Sequence, residues 1–189
     1  MNKMIEEIQE EIRYRCGLAS NFFGMGCYDH IESVAHHALD LAKHYGADQE
    51  ICLLGAWLHD VASITDYDLY RDHHIHGMAI AEDLLSKYDY PKDRLDRVKA
   101  CIYNHRGSVA SQPMSLEEKC VADADAISHF DNLPSLFHLA YVQRGLSLEE
   151  GQAFVRAKLD RSFKKMSPSS QAFYRQKKDM VDQVFTSRK

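Results

Sequence analysis

The sequence predicts an all-α protein, and three of its features support this class. Apolar residues recur at the spacing of a helix along most of the chain; Met4, Ile5, Ile8 and Ile12, for example, lie broadly on one side of a first candidate helix. No segment alternates apolar and polar residues as a half-buried strand does. The links between the candidate helices are short, which favours one compact bundle.

The candidate helices follow one another along the chain, and turn or capping residues separate them. They are expected at about 3–16, 29–45, 48–61, 74–88, 91–105 and 116–130, followed by two or three more that include 148–165 and 167–185. Asp29 is the expected N-cap of the second helix, which stops at Gly46, and Pro91 opens the fifth. The segment 52–58 is apolar all round, as expected of a central helix enclosed by others.

Composition and charge narrow the class of protein. The 189 residues are 45% apolar and 27% charged, which is ordinary for a globular chain of one domain. The formal net charge of −5 argues against bulk coating of nucleic acid, although it leaves room for a local basic pocket that holds one nucleotide. No stretch approaches the roughly 20 apolar residues of a membrane span, and the N-terminus lacks a secretory signal. We therefore expect a cytoplasmic protein without a membrane partner.

Five cysteines lie far apart in the sequence, with no Cys-x-x-Cys pair. They are Cys16, Cys27, Cys52, Cys101 and Cys120. An odd number without a recognisable framework fits a reducing compartment. Because free cysteine usually behaves as a small buried hydrophobe, we expect these side chains to pack in the core.

The adjacent pair His59-Asp60 follows the most apolar stretch of the chain and ends a predicted buried helix. An unpaired carboxylate is costly in such a partly dry place, and the negative end of the helix dipole adds roughly 0.3–1 kcal/mol. A bound cation would remove both costs. The alternative is an Asp60 that meets solvent or an arginine and a His59 hydrogen-bonded in the core. The pair considered alone favours that alternative.

Residues elsewhere in the chain favour a metal site. His30 stands at the start of the second helix, at the edge of its apolar face, while Asp123 and Asp125 lie in an otherwise small and apolar run on the sixth. Buried carboxylates of this kind need a cation or several hydrogen-bond donors. A nitrogen and oxygen ligand set suited to Mn²⁺, Fe²⁺, Co²⁺, Ni²⁺, Zn²⁺ or Mg²⁺ is formed by His30, His59, Asp60 and one aspartate of this run.

This pattern resembles the HD superfamily of metal-dependent phosphohydrolases, which has a histidine, a His-Asp pair and a distant aspartate on successive helices of a bundle. The similarity runs from about Asp29 to Ser128. It implies four metal ligands, His30, His59, Asp60 and Asp125. Asp125 is preferred to Asp123 because a small residue and then isoleucine follow it, as is typical of the family. Asp123 is a candidate for supporting the site from outside the ligand set.

The resemblance also implies an organisation and a substrate class. The whole chain, 1–189, would form a single domain, with an HD core at about 20–130 and a C-terminal helical extension at about 133–187. The Asp-Ala-Asp run and the basic tail after residue 157 look similar to small bacterial HD hydrolases, some of which cleave nucleoside triphosphates. The expected partner is a small phosphorylated substrate, by preference a nucleotide. A homodimer is left open.

His73 and His105 bear on the number of metal ions. In binuclear members of the superfamily, one further histidine precedes a glycine by four residues and another stands in a His-x-Gly segment. His73, four residues before Gly77, and His105, two before Gly107, occupy those places here. They would hold a second ion or, beside a single ion, contact phosphate or the attacking water; for His73 an exposed helix cap is the alternative. No role is assigned to His36, His37, His44, His129 and His138.

The chemistry expected of such a site is attack of water on phosphorus. A bound divalent cation lowers the pKa of its water and polarises a phosphoryl oxygen. Asp60 would ligate the metal and orient the water, with His105 and Arg106 as further catalytic residues and Arg106 as the first choice for holding phosphate. Other candidate phosphate-binding cations, each more often part of a solvated face, are Lys158, Arg161, Lys164, Lys165, Arg13 and Arg15.

Two other functions share parts of this pattern. Some members of the superfamily are di-iron oxygenases, and they use the same histidines. A non-catalytic nucleotide sensor is the third hypothesis, which the complete set of ligands disfavours. The loop that contains Phe22 and Phe23 invites base stacking, but we prefer the interpretation that it is a turn pinned into the core by these two rings.

Overall fold

Helices account for the regular secondary structure of residues 3–106 and 115–185, which are the residues that this computed structural model describes. No β-strand is found within these two ranges. The helices are α1 (Lys3–Cys16), α2 (Gly26–Tyr45), α3 (Gln49–Leu58), α4 (Val61–Thr65), α5 (His73–Ser86), α6 (Lys92–Asn104), α7 (Leu116–Asp131), α8 (Leu133–His138), α9 (Leu148–Lys165) and α10 (Pro168–Phe185). A 3₁₀ turn, Tyr67–Asp72, joins α4 to α5, and a π-helical segment, Leu139–Gln143, follows α8. The predicted all-α class is confirmed.

Side-chain caps explain where several helices begin. Asp48 accepts hydrogen bonds from the backbone N–H groups of Glu50 and Ile51, which starts α3. Ser115 starts α7 in a capping box with Glu118, and Ser147 starts α9 in the same way with Glu150. Each box satisfies two backbone donors that a helix end leaves free. The sequence carries these starts because the capping residue types precede the apolar runs directly.

The predicted start of α2 is wrong. Asp29 does not cap this helix, which begins three residues earlier at Gly26 and has Met25 as its cap residue, without a side-chain hydrogen bond. Two turn hydrogen bonds, from the N–H of Cys27 to Gly24 O and from the N–H of Tyr28 to Met25 O, carry the preceding loop directly into the helix. Asp29 therefore lies in the first turn, where its negative charge faces the positive end of the helix dipole.

The third helix is enclosed by its neighbours, as its apolar sequence predicts. It packs against α2, α6 and α7, and its buried residues are Ile51, Cys52, Leu54, Gly55, Ala56, Trp57 and Leu58. Gly55 sets its distance from α6, because a Cβ placed there would lie 2.7 Å from the Cβ of Cys101. Two carbon atoms cannot lie this close without overlap, so α3 and α6 can approach each other here only because Gly55 has no side chain.

A second apolar cluster links the C-terminal helices to α7. It contains Ala126, Ile127, Phe130, Leu136, Ala140, Val155, Leu159, Phe163, Met166 and Val181. Residues of α7 up to Ala124 belong instead to the first cluster, with α1 to α6. The middle of α7 is thus buried between the two clusters, and its polar side chains lie in the interior of the protein.

The cysteines mostly pack as predicted. Cys16, Cys52, Cys101 and Cys120 are buried, and all five thiols are free. Cys27 differs, because it is only half-buried and its Sγ lies 3.2 Å from that of Cys16. No helix within the described ranges has both the length and the apolarity of a membrane span.

Candidate metal centre

The helical path breaks at the His59-Asp60 pair. Leu58 ends α3, and Asp60, at φ −109° and ψ 14°, turns the chain into α4. His59 is fully buried, whereas the Asp60 side chain keeps 26% of its surface exposed. The break therefore presents a histidine nitrogen from the core and a carboxylate at its edge to the same side of the bundle.

Three helical regions bring the four predicted metal ligands together. His30 comes from α2 and Asp125 from α7, and their Nε2 and Oδ1 atoms lie 3.3 Å apart. His59 Nε2 lies 3.4 Å from Asp60 Oδ2. The remaining two pairs, His30 Nε2 to Asp60 Oδ2 and His59 Nε2 to Asp125 Oδ1, are both 4.0 Å apart. Each of the two imidazole nitrogens thus lies within 4.0 Å of a carboxylate oxygen of both aspartates.

Hydrogen bonds orient both histidines with Nε2 toward this point. His59 Nδ1 donates to the backbone oxygen of Ala56 at 2.7 Å. His30 Nδ1 lies 2.8 Å from Ser128 Oγ, and the Ser128 hydroxyl itself donates to the backbone oxygen of Asp125. Ser128 is therefore the acceptor for the His30 N–H. A donated Nδ1–H leaves the lone pair on Nε2, which is the arrangement of a metal-binding histidine.

A metal ion fits these residues by a test independent of any family. His59 Nε2 is buried and has no hydrogen-bond partner. Such an atom is costly to leave alone in a folded interior. Here it faces carboxylate oxygens of Asp60 and Asp125, and a cation between these groups would satisfy all three. Nitrogen and carboxylate donors are the ligands that first-row divalent ions use.

A second cluster shares Asp60 with the first. The other carboxylate oxygen of Asp60, Oδ1, lies 3.2 Å from His73 Nε2 and 3.9 Å from His105 Nε2. Both rings donate Nδ1–H to backbone oxygens, of Tyr70 at 2.8 Å and of Ile102 at 2.6 Å. Their two Nε2 atoms face each other at 3.1 Å, and two lone pairs at that distance call for a proton or a cation between them.

Asp123 does not face either cluster. Its carboxylate accepts hydrogen bonds from the backbone N–H of Ser167 at 2.7 Å, from the Ser167 hydroxyl, and from the hydroxyl of Ser170 at 2.6 Å. The residue holds the start of α10 against α7. Asp125, two residues later, turns to the opposite side and meets His30. The geometry therefore favours the predicted choice of Asp125 over Asp123.

Comparison with known proteins assigns the family. The model of the HD domain matches residues 27–129, which is more than half of the chain. The chain belongs to the HD domain family.

Solved structures share the fold of this HD domain protein. YpgQ from Bacillus subtilis is 19% identical, with a TM-score of 0.73 over 97% of this chain and 92% of that chain. The complex of YpgQ with ADP is also 19% identical, with a TM-score of 0.70 over 95% of this chain and 93% of that chain. A predicted HD superfamily hydrolase from an uncultured Thermotogales bacterium is 19% identical, with a TM-score of 0.57 over 90% of this chain and 91% of that chain. At these identities the likeness establishes the fold alone.

Neighbouring histidines and a lysine lower the pKa values of the two carboxylates in this HD domain, Asp60 and Asp125. Burial raises the pKa of Asp60, but His59, His73 and His105 lower it, and the result lies well below its usual range. Burial likewise opposes the low pKa of Asp125, which Lys165 and other neighbours hold well below the usual value. Both carboxylates are therefore ionised and available to a cation.

The histidines divide into two kinds. Burial lowers the pKa of His59, while Asp60 and Asp125 raise it, and the net shift is upward. Burial, with the nearby His59, holds the pKa of His105 well below its usual value. His105 is thus neutral near pH 7, with its Nε2 lone pair free. The raised pKa of His59 means that a proton competes with a cation for its Nε2.

A cavity of about 620 Å³ opens over both clusters. Its basic lining residues are Arg106, Arg144, Lys158, Arg161, Lys164 and Lys165. Arg13 and Arg15, the two predicted candidates from α1, do not line it: Arg15 bonds Glu11 and Thr65, and Arg13 lies over the ring of Tyr28. Of the His-x-Gly segment, Gly107 lies outside the described residues.

The expectation that Phe22 and Phe23 pin a turn into the core is wrong. Both rings are only half-buried, and they pack on the 3₁₀ turn instead: Phe22 lies 4.3 Å from Tyr67 and Phe23 lies 5.2 Å from Tyr70, between ring centroids. Phe23 and Tyr70 line the cavity. Spacing in the sequence did not show this, because the partner tyrosines stand more than 40 residues away.

Two cavity residues had no role in the sequence prediction. Arg144 ends the π-helical segment and stacks over the ring of Phe154. His129 is buried, lines the cavity and lies one helical turn after Asp125. The spacing of His129 from Asp125 was visible in the sequence and places both on one helix face. The sequence alone gives no reason to assign His129 a role, because a histidine at such a position is typical of a helix face or boundary.

Proposed function

We propose that this HD domain protein is a metal-dependent phosphohydrolase, which cleaves an ester or anhydride bond of a small phosphorylated molecule with water. The observation that carries the proposal is the position of Asp60, whose two carboxylate oxygens face different histidine clusters. A carboxylate placed in this way can serve two metal ions about one phosphoryl group, or one ion and its nucleophile. His30, His59, Asp60 and Asp125 would hold one ion; Asp60, His73 and His105 would hold a second.

A divalent ion held by these residues would supply a water of lowered pKa and would polarise the phosphoryl oxygen. The residues of the chain contribute position and charge. Asp60, ionised at neutral pH, orients the attacking water by accepting a hydrogen bond from it. His105 is neutral and offers an acceptor lone pair beside Asp60. Arg106, which lines the same cavity, neutralises phosphate charge that develops during in-line displacement.

A nucleotide is the proposed substrate. Six basic side chains line the cavity, which suits a polyanion, and Phe23 and Tyr70 offer aromatic faces for a base. The structural relative YpgQ was crystallised with ADP. That complex concerns YpgQ, and it supports the same ligand class for a cavity of this fold.

A phosphate-release screen tests the proposal. The purified protein is loaded in turn with Mn²⁺, Co²⁺, Ni²⁺, Zn²⁺, Fe²⁺ or Mg²⁺ and given nucleoside mono-, di- and triphosphates and a generic phosphate ester. We expect turnover with at least one pair of metal and substrate, and none after chelation. Absence of turnover with every pair, together with retained nucleotide binding, would support a sensor instead. Oxygen-dependent turnover with a bound pair of iron atoms would support the oxygenase.

A further inference from the structure

His129 lies close enough to two predicted metal ligands, His30 and Asp125, to be a metal ligand itself. Its ring centroid lies 4.8 Å from that of His30, and its Nδ1 lies 3.9 Å from Asp125 Oδ1. Nitrogen and oxygen atoms of His30, Asp125 and His129 all fall within 4.8 Å of one another. A group of this kind can be a metal site or part of the surface that holds the substrate, and its charged surroundings distinguish the two.

Two lysines of α9 line the cavity together with His129. Lys165 forms an ion pair with Asp125 Oδ2, on the side of this carboxylate away from the histidine clusters. Lys158, about two helical turns earlier, lines the same cavity. A cation bound between His30, Asp125 and His129 would lie close to the Lys165 ammonium group and in the same cavity as that of Lys158, and like charges repel by several kcal/mol unless water screens them. An anion beside His129 would gain from both lysines, and the ion pair of Asp125 with Lys165 offsets part of the repulsion from the Asp125 carboxylate.

Hydrogen bonding at His129 also differs from that at the four predicted histidine ligands. Those rings have Nδ1 held by a backbone oxygen or by Ser128, so that Nε2 carries the lone pair. The Nδ1 of His129 lies instead 3.3 Å from Ser162 Oγ on α9. The direction of this hydrogen bond depends on the tautomer of His129: with the Ser162 hydroxyl as donor, Nε2 carries the hydrogen and can donate to an oxyanion, and with Nδ1 as donor, Nε2 carries the lone pair.

We propose that His129, Lys158 and Lys165 form an oxyanion subsite, which binds a phosphate group of the substrate beside the metal centre, and that His129 is not a metal ligand. The subsite rests on the proposed function for its role in catalysis, but its ligand chemistry stands on the local charges alone. Helix α9 contributes both lysines and Ser162, so it serves as one wall of the substrate cavity.

Metal content and phosphate binding test this proposal together. Bound Mn²⁺ per chain is measured by elemental analysis, and the affinity for inorganic tripolyphosphate by calorimetry, for the wild type, His129→Ala, His129→Gln and Lys158→Met. We expect unchanged Mn²⁺ in all four proteins. Tripolyphosphate affinity should fall about 10- to 100-fold in His129→Ala, as expected for a lost hydrogen bond to a charged group, and less in His129→Gln, which keeps a donor. His36→Ala, an exposed residue of α2, is the control and should match the wild type.

Two results would overturn the subsite. Loss of Mn²⁺ from His129→Ala and His129→Gln would make His129 a metal ligand. Unchanged tripolyphosphate affinity in both His129 variants and in Lys158→Met would remove the anion site; Lys158→Met decides the question if the buried His129 variants fail to fold. These outcomes are distinct from failure of the proposed function, which is absence of hydrolysis by the wild type whatever it binds. Where the wild type does hydrolyse a nucleotide, the KM should rise in His129→Ala with a smaller change in kcat.

Discussion

Asp60 and Asp125 perform different work although both are carboxylates at the same cavity. Asp60 faces histidines with both oxygens. Asp125 turns one oxygen to His30 and the other to Lys165, which fixes its orientation from the far side. The sequence contained the residues but not this division, because the lysine comes from a helix 40 positions later. Asp123 shows the same limit, since its serine partners lie on the last helix.

Replacement by asparagine should have a different effect at each aspartate of α7: it should lower metal affinity at Asp125 and stability at Asp123. In Asp125→Asn we expect Mn²⁺ affinity to fall by at least ~10-fold, since even groups that only support a ligand contribute this much. In Asp123→Asn we expect unchanged Mn²⁺ affinity and a loss of about 1–2 kcal/mol in the free energy of unfolding, because buried hydrogen bonds to Ser167 and Ser170 weaken. Calorimetric metal titration and urea unfolding give the two quantities. The reverse pattern would make Asp123 the ligand.

The low pKa of His105 has a consequence for pH-dependent stability. In the folded state this pKa lies below the ordinary value of 6.5, so the unfolded chain binds the proton more readily. The contribution of His105 to stability is present above pH 6.5 and is lost as the pH falls from there toward the folded pKa. Urea unfolding of the metal-free protein between pH 7.5 and 5 should therefore show a flatter pH dependence in His105→Gln than in the wild type. Equal slopes would contradict the assignment of a neutral His105.

At the scale of the helices, the amphipathic segments and the capping serines could be predicted, and the breaks could not. The capping boxes at Ser115 and Ser147 use local residues, and the predicted starts of α7 and α9 are confirmed. The expected third helix, 48–61, is in fact α3, a break at His59-Asp60 and the start of the short α4. This break depends on packing against other helices and on the site itself, which no local pattern encodes.

The contact between α3 and α6 can be tested at Gly55. We expect Gly55→Ala to lower the free energy of unfolding by about 1–3 kcal/mol, because the new methyl group would overlap Cys101 and force the helices apart. Chemical unfolding measures the loss. Gly26→Ala is the matched control, since the atoms nearest to a Cβ there, Ser135 Oγ and Cβ, lie at ordinary distances of 3.7 and 3.8 Å. Equal stability of the two variants would show that α3 and α6 are not held at this distance.

At the scale of the molecule, the candidate ligands join parts of the chain that are far apart in sequence. His30 lies on α2, the His59-Asp60 pair at the α3–α4 break, and Asp125 on α7, which is shared by both apolar clusters. The all-α class followed from periodicity, and the ligand set from the family resemblance. The anion-binding wall on α9 needed the three-dimensional structure, because the basic run alone is equally typical of a solvated face. That the chain forms one domain stays a prediction.

Because the ligands are assembled only in the folded chain, a metal ion should stabilise the fold. Binding to the native state alone adds about 2.7 kcal/mol at a free concentration 100 times the Kd. We expect the Tm to rise when Mn²⁺ is added to metal-free protein, and not to rise in His59→Ala. Thermal unfolding with and without chelator measures this. An equal rise in wild type and variant would place the ion elsewhere.

The central claim is that His59 and Asp60 hold the metal that drives hydrolysis, and one set of rate measurements tests it most directly. Turnover of the best substrate is measured with the preferred metal for the wild type, His59→Ala, Asp60→Ala and the control His36→Ala, an exposed histidine of α2. We predict that both site variants remain helical and lose more than ~100-fold in kcat/KM, beyond the effect of removing a merely supporting residue, while the control retains its activity. Near-normal turnover in both site variants would contradict the account.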